Sequence, residues 1–352
     1  MTAGGRNQAA EIRNGVPELP GVYAFVDQRG RLLYIGKSVN LRRRMVGYLT
    51  RDPMKVKPAH GLLASSIRGF SWWHTRTELM ALLLEDALIK ESMPPLNSRQ
   101  RDFLENRYLE LTDDRFPSCV IVEHVCDFGQ REVYGPLRDR YQAASLRDAV
   151  HRIIGMRTCT EAEPTNTCLD HDIGRCTGPC RGGLKPDRYR ELVGAARDFL
   201  NGEADFVLER LAKEMERAVA GGRYEEAERL RKTIRMAASF AERQRFHRRF
   251  ACGRFSLGSA EDGTGYTFED GALVYPRSVV LITGHGGQSG DSGRDRFDPE
   301  EAVRRALKAL REVPVSDRRV LADRERIVYS WLSKRRAGQD NASERAVEDR
   351  CV

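Results

Sequence analysis

The 352-residue chain has no apolar run that approaches membrane length, and no secretory signal is visible, so a soluble cytoplasmic protein is expected. It also has no Cys-x-x-Cys pair, which weakens a zinc-ribbon reading. Cysteine is scarce, with eight in all. Cys119, Cys126, Cys252 and Cys351 follow no partner pattern and are expected to be free thiols. Disulfides are not expected in a cytoplasmic chain. Apolar residues make up 40%, enough for real cores, and the length suits two to four domains.

The charge is uneven. Of the net +8, residues 1–100 carry 15 Lys+Arg against 8 Asp+Glu. That excess is the footprint of a phosphate-backbone partner, although a basic face alone is a weak signal. The same segment holds the most informative pattern in the chain. Gly21-Val22-Tyr23 and Tyr34-Ile35-Gly36 read as two short strands, joined through a turn at Asp27–Gly30. A basic helix then begins after Lys37, with Arg42, Arg43 and Arg44 in its first turn. A second helix is expected over about Glu78–Ser92, with Thr75 and Glu78 as its capping box and Pro94-Pro95 as its end. Glu85 stands among Leu82, Leu83, Leu84 and Leu88, an unusual place for an incidental carboxylate. Trp72 and Trp73 just before it are read as core or edge-strand residues.

Residues 19–44, continued through Thr77–Glu85 to Pro94-Pro95-Leu96-Asn97, resemble a GIY-YIG nuclease domain in its UvrC version, with Val22 in place of the isoleucine. The resemblance implies a metal-dependent DNA endonuclease that hydrolyses one phosphodiester bond, as in the 3′-side incision of nucleotide excision repair. It implies Tyr34 as the general base or water partner, Tyr23 as a positioning group and Lys37 as the cation that lowers the Tyr34 pKa. Arg44 would hold the scissile phosphate and Glu85 a single Mg²⁺ or Mn²⁺. Asn97 would tie the last segment to the site. Lys37, Arg42, Arg43 and Arg44 would contact DNA, a damaged duplex in the repair analogy. The chemistry is coherent: a free phenol titrates near ~10, and a nearby cation favours its ionised form.

The next strong signal is a cysteine group. Cys159, Cys168, Cys176 and Cys180 fall within 22 residues at spacings x8, x7 and x3. Four thiolates in a loop with Gly174, Gly178 and Pro179 suit a tetrahedral or cubane metal centre, and spacing alone does not separate iron–sulfur from zinc. Arg157-Thr158-Cys159 and Gly174–Cys180 resemble the UvrC cysteine segment, which implies a [4Fe–4S] cluster, with Zn²⁺ the alternative.

Strands are expected at Tyr108–Leu111, Cys119–Val122 and Val133–Pro136, then a helix from about Ala143 to Ile154. Residues 186–245 read as a charged αα-hairpin broken at Gly221-Gly222. It resembles the UVR motif through which UvrC pairs with UvrB, so Tyr224, Glu225, Ala227 and Leu230 become candidate contacts to a UvrB-type helicase. After Arg249 the resemblance stops, and no RNase H-like or helix-hairpin-helix segment is recognisable. Residues 1–14 and the last 17 are expected to be disordered, and Gly284–Gly293 a flexible segment.

The fold class expected is therefore a multi-domain α/β (α+β) protein. A nuclease domain covers 15–100, a linker with the four-cysteine module 101–185, the helical hairpin 186–245, and a small α/β appendage 250–335. Two other functions stay open: a nuclease-inactive DNA-binding or scaffold protein, and a mobile-element nuclease. The intact set Tyr23, Tyr34, Lys37, Arg44, Glu85 and Asn97 argues against the first. The cysteine segment and hairpin argue against the second.

Overall fold

A computed structural model describes residues 3–50, 63–97, 107–123, 131–137, 139–159, 169–179, 184–258, 265–275, 280–287, 296–312 and 318–338. The chain is a mixed α+β protein of two compact units. One comprises Met1–Leu104, Cys252–Val315 and Asp323–Val352, the other Glu105–Ala251 and Ser316–Ala322. No helix among the described residues is long and apolar enough to cross a membrane.

The first unit is built on an antiparallel sheet. β1 (Gly21–Val26) pairs with β2 (Leu32–Ser38) and with β3 (Gly69–Thr75). The β1–β2 turn is fixed by Asp27, whose Oδ1 accepts from the amides of Arg29 (2.8 Å) and Arg31 (2.9 Å). Trp72 and Trp73 are buried on β3, Trp72 opposite Tyr23. The fourth strand comes from far along the chain: β10 (Val280–Gly287) pairs with β3, giving the order β10-β3-β1-β2. The glycines expected to be flexible are thus partly strand, and the rest of that segment, residues 288–293, lies outside the described residues. The physical reason for the strand is steric. A Cβ on Gly284 would meet the Trp72 ring at 2.6 Å, and one on Gly286 the Phe70 ring at 2.6 Å. Only backbone fits beneath these two aromatics.

Residues expected to be disordered at the N-terminus form α1 (Ala3–Gly15), which buries Ala9 and Ile12, with Val16 following. A stripe of three small or branched apolar residues sufficed, because it packs beside Tyr23, Phe25, Leu41 and Met45 in one core. α2 (Leu41–Thr50) follows β2 and is capped by Asn40, whose Oδ1 accepts from Arg43 N at 2.9 Å. It buries Leu41, Met45, Tyr48 and Leu49, which share one face at spacings of four, three and one. α3 (Glu78–Ser92) has the expected span but a different cap. Thr77 Oγ1 accepts from Met80 N at 3.3 Å, while Thr75 Oγ1 donates to the Thr77 carbonyl. Thr75 belongs to β3 and is two residues too early to turn toward the helix amides. The segment expected as an appendage also adds a small sheet, β7 (Arg254–Leu257), β8 (Tyr266–Glu269) and β9 (Ala272–Tyr275).

In the second unit β4 (Arg107–Leu111) lies between β5 (Cys119–Glu123) and β6 (Glu132–Leu137), on the three segments expected as strands. α4 (Arg140–Ala149) is capped by Asp139 and runs into a wider helical turn at Val150–Ile154. After a single helical turn at Leu169–Asp172 come three long helices: α5 (Pro186–Leu200), α6 (Asp205–Ala220) and α7 (Tyr224–Ala251). α6 and α7 form the hairpin, closed by Gly222 N to Val219 O (3.0 Å) and Arg223 N to Ala218 O (2.8 Å). Val207, Leu211 and Ala218 share a core with Ala227, Leu230, Ala237 and Phe240. Each stripe of the hairpin therefore covers the other.

Arg157 ties the start of the cysteine segment to this unit. Its side chain is 2% exposed and pairs with Asp114 at 2.7 Å. It also donates to the carbonyls of Phe116 and Cys159, and its amide donates to the Tyr189 hydroxyl at 3.0 Å. Removing one member of a buried pair strands the other, at a cost of about 3–5 kcal/mol. Arg157→Met is expected to destabilise by that amount in urea unfolding. A loss under about 1 kcal/mol would show that Arg157 does not organise the segment.

Candidate active site

Four pieces of the first unit bring the sequence-nominated residues together. β1 supplies Tyr23, β2 Tyr34 and Lys37, α2 Arg44, and α3 Glu85. The β1–β2 register sets Tyr23 opposite Gly36 and Tyr34 opposite Phe25. The ring centroids of Tyr23 and Tyr34 lie 6.3 Å apart. Gly36 makes this possible: a Cβ there would meet the Tyr23 hydroxyl at 2.5 Å and the Tyr34 ring at 2.8 Å. The glycine beside the second tyrosine is the space into which the first one fits.

A third phenol completes the group, and sequence reasoning missed it. Tyr48 lies 6.0 Å from both Tyr23 and Tyr34, centroid to centroid. Its hydroxyl accepts from Tyr23 (3.2 Å) and from Arg44 Nη2 (3.2 Å). The Arg44 guanidinium stands 5.1 Å above the Tyr48 ring. The available signal was spacing, since Tyr48 is one helical turn beyond Arg44. Tyr23 is fully buried, and its hydroxyl meets both the Tyr48 hydroxyl and the Arg44 guanidinium.

Glu85 and Asn97 both hold the outer edge of β2. Glu85 Oε1 accepts from Lys37 N at 2.9 Å. Asn97, 3% exposed, accepts from Ile35 N at 2.9 Å and donates to Ile35 O at 2.8 Å. The Lys37 ammonium points elsewhere, to Glu78 Oε1 at 2.6 Å. This differs from the expectation that Lys37 lowers the Tyr34 pKa. Burial, then Tyr48 and Glu85, push the Tyr34 phenol well above its ordinary value, and Arg44 is the cation that opposes them. Burial raises Glu85 to about 7 against the lowering effects of the Lys37 amide and charge.

The other nominated cations divide. Arg42 is engaged by the Val16 carbonyl (2.7 Å) and Glu18 (2.8 Å), whereas Arg43 is exposed and has no ion pair among the described residues. In the second unit, Cys159 and Cys176 are described, while Cys168 and Cys180 lie outside the described residues. Cys176 Sγ accepts from Gly178 N at 3.3 Å, and Arg157 Nη1 lies 3.7 Å from Cys159 Sγ. Of the candidate partner contacts, Tyr224 (71% exposed) and Glu225 are exposed, but Ala227 and Leu230 are buried inside the hairpin. That corrects the expectation for the last two, because α6 already covers them.

Comparison with known proteins adds to this geometry. Residues 19–98 match the UvrC-like GIY-YIG domain, and residues 107–199 match the middle domain of UvrC/Cho excinucleases. UvrABC system protein C of Dictyoglomus thermophilum is 31% identical over 65% of this chain and 38% of its own length. That of Methanosarcina acetivorans is 32% identical over 66% of this chain and 44% of its own. The chain thus spans about two fifths of the length of these curated relatives. The magnesium-bound GIY-YIG N-terminal endonuclease domain of UvrC from Thermotoga maritima is similar at 28% identity. That likeness covers 28% of this chain and 99% of that one, with a TM-score of 0.23. Residues 19–98, which carry the phenols, Arg44, Glu85 and Asn97, thus form a UvrC-like GIY-YIG domain, and a domain like the middle domain of UvrC/Cho excinucleases follows it directly.

Proposed function

We propose that the first unit is a metal-dependent DNA endonuclease that hydrolyses a phosphodiester bond with water. The observation that carries this reading is Glu85, a carboxylate on an otherwise apolar helix face, raised to about 7 and set beside a phenol and an arginine. Such a placement is costly unless a cation relieves it.

The donor set fits a hard divalent ion. Glu85 gives one oxygen to the Lys37 amide, and its other oxygen has no hydrogen bond among the described residues. No group of three or more His, Cys, Asp or Glu residues that would form a cage stands among the described residues. A single carboxylate with waters and a phosphate is a usual setting for Mg²⁺. Bound there, the ion would supply positive charge that favours the ionised phenol and neutralises phosphate oxygens. Tyr34 then orients the attacking water and takes its proton. Arg44, aligned by the Tyr48 hydroxyl and ring, holds a non-bridging phosphate oxygen. Tyr23 holds Tyr48 in place. In nucleotide excision repair the corresponding cut is on the 3′ side of the lesion, and we assign that role here. A UvrB-type partner would meet the hairpin at Tyr224 and Glu225.

The cysteine segment is proposed to hold a metal centre, a [4Fe–4S] cluster by preference. Both described sulfurs have an N–H group nearby, as suits thiolates.

The metal assignment has a pH signature. The Glu85 pKa is raised in the folded state, from an ordinary 4.5 to about 7. Its contribution to stability is therefore fully present below about 4.5 and lost as pH rises through about 7, by about 3 kcal/mol. Metal-free wild type is expected to lose stability between pH 5 and 8 relative to Glu85→Gln. Adding Mg²⁺ at pH 8 should raise the melting temperature of the wild type only. Parallel curves for the two proteins, with no Mg²⁺ effect, would remove Glu85 as the ligand.

For the reaction itself, Glu85→Gln should abolish cleavage of a lesion-bearing duplex while DNA binding persists. Tyr34→Phe should slow cutting by roughly 10²–10⁴-fold, the usual worth of a general acid–base group. Wild-type-like cutting by either variant would overturn the corresponding role. For the cysteines, protein purified anaerobically should be brown and should lose its colour in Cys176→Ser. Colourless protein with one zinc per chain would replace the cluster by zinc.

A further inference from the structure

Next to the Lys37–Glu78 pair lies a cavity of about 600 Å³. Four cations line it: Arg76, just before α3, and Arg326, Lys334 and Arg335 from α9 (Arg318–Gly338). The one carboxylate in its lining, Glu78, is already taken by Lys37. Arg76 and Lys334 are exposed, and neither makes an ion pair or hydrogen bond among the described residues. Arg326 reaches Asp323 at 3.2 Å through Nη2, but its Nε–H is buried without an acceptor among the described residues. Apolar lining comes from Val39, 53% exposed, with Pro20, Leu82 and Ile327, while Trp331 is buried and carries the Arg335 guanidinium 4.4 Å above its ring.

The α9 wall is firmly seated. Lys90 on α3 bridges Asp86 (2.8 Å) and Asp323 (2.7 Å), with side chains between 4% and 25% exposed. Arg324, buried, donates to the carbonyls of Gly271 (2.6 Å) and Ala309 (2.8 Å). Lys90 and Arg324 thus hold the helix at its Asp323–Arg324 stretch, while Arg326 just beyond and Lys334 and Arg335 about three turns further on line the cavity. An apolar surface edged by cations matches a sugar–phosphate backbone, where deoxyribose faces alternate with anionic oxygens.

We propose that this cavity is a second phosphate-backbone site, in which DNA extending from the Tyr34–Glu85 centre runs along α9. The inference rests on the endonuclease reading and deepens it. It gives the segment after residue 250 a task in substrate binding, with Arg326, Lys334 and Arg335 from outside both matched domains acting beside Arg76 from within the first. Lys37 joins the two places, with its amide on Glu85 and its ammonium on Glu78.

The test measures binding of the full chain to a short fluorescein-labelled duplex by anisotropy across a salt series. Mg²⁺ is withheld so that cleavage plays no part. The double variant Arg76→Gln/Lys334→Gln should bind at least tenfold more weakly. Its plot of log affinity against log salt should be shallower by roughly 2, since each lost phosphate contact removes about 0.9. Arg304→Gln/Arg305→Gln removes equal charge from α8 (Pro299–Arg311) and should leave both quantities near wild type. Ser330→Glu, at an exposed position on the cavity wall, should weaken binding by repulsion and guards against a folding defect in the double variant. Wild-type affinity and slope in the double variant, or equal losses from both arginine-lysine and arginine-arginine pairs, would overturn the proposal. A wild type that binds but never cuts would sink the endonuclease reading alone. Variants that bind like a cutting wild type would sink the second site alone.

Discussion

The outer edge of β2 is the constraint on which the first unit turns. β2 is the last strand of its sheet, so one row of its backbone groups has no strand to pair with. Buried and unpaired, each would cost about 1–3 kcal/mol. α3 and the chain just after it satisfy that row instead. Leu33 O accepts from Leu96 N, Ile35 is bound at both N and O by Asn97, and Lys37 N is bound by Glu85. The alternation Leu33, Ile35, Lys37 is the strand's own period of two. The edge is thereby closed to another chain, and the same bonds fix the proposed metal ligand beside Tyr34. Structural need and chemical placement are met by one set of contacts, which explains why a carboxylate is tolerated on a helix whose neighbours Leu83, Leu84, Ala87 and Leu88 are buried.

How much of this was legible in the sequence depended on the range of the physics involved. The two tyrosine strands, their turn and the α3 span follow from local pattern, and the structure carries them. Tyr48 was not legible because its role comes from α2 crossing β1, which no short window displays. Lys37 was misplaced for a similar reason. The family resemblance implied a charge effect of Lys37 on the phenol, yet in three dimensions its ammonium pairs with Glu78 at 2.6 Å. The hairpin shows the reverse case. Its stripes were visible, but a stripe does not say what covers it. Here α6 covers Ala227 and Leu230, leaving Tyr224 and Glu225 at the surface.

Glycine was the residue type most easily misread. Between Gly284 and Gly287 a high glycine content suggested flexibility. In the sheet those positions are strand because Trp72 and Phe70 occupy the volume where side chains would stand. Gly36 does the same for Tyr23. In both places the glycine and the aromatic belong to one packing decision: a large ring on one strand is admitted by a missing side chain on its neighbour. Composition alone treats them as opposite signals.

The segment after residue 250 belongs with the first unit through shared packing. β10 completes the sheet at the edge opposite β2, so both borders of β1 and β3 are covered by pairing. α8 packs on α3, and α9 is fastened to α3 through Lys90. Asp86, one residue after Glu85, shares that ammonium. Burial raises the Asp86 pKa and the Lys90 charge opposes the rise, so the ion pair is what keeps a second acid compatible with this position. Removing α9 would take Asp323 from Lys90 and leave Asp86 as its remaining carboxylate partner, directly beside the proposed metal ligand. The late segment therefore does more than add mass to the GIY-YIG domain. It supplies half of the ion-pair network that supports the helix on which Glu85 is carried.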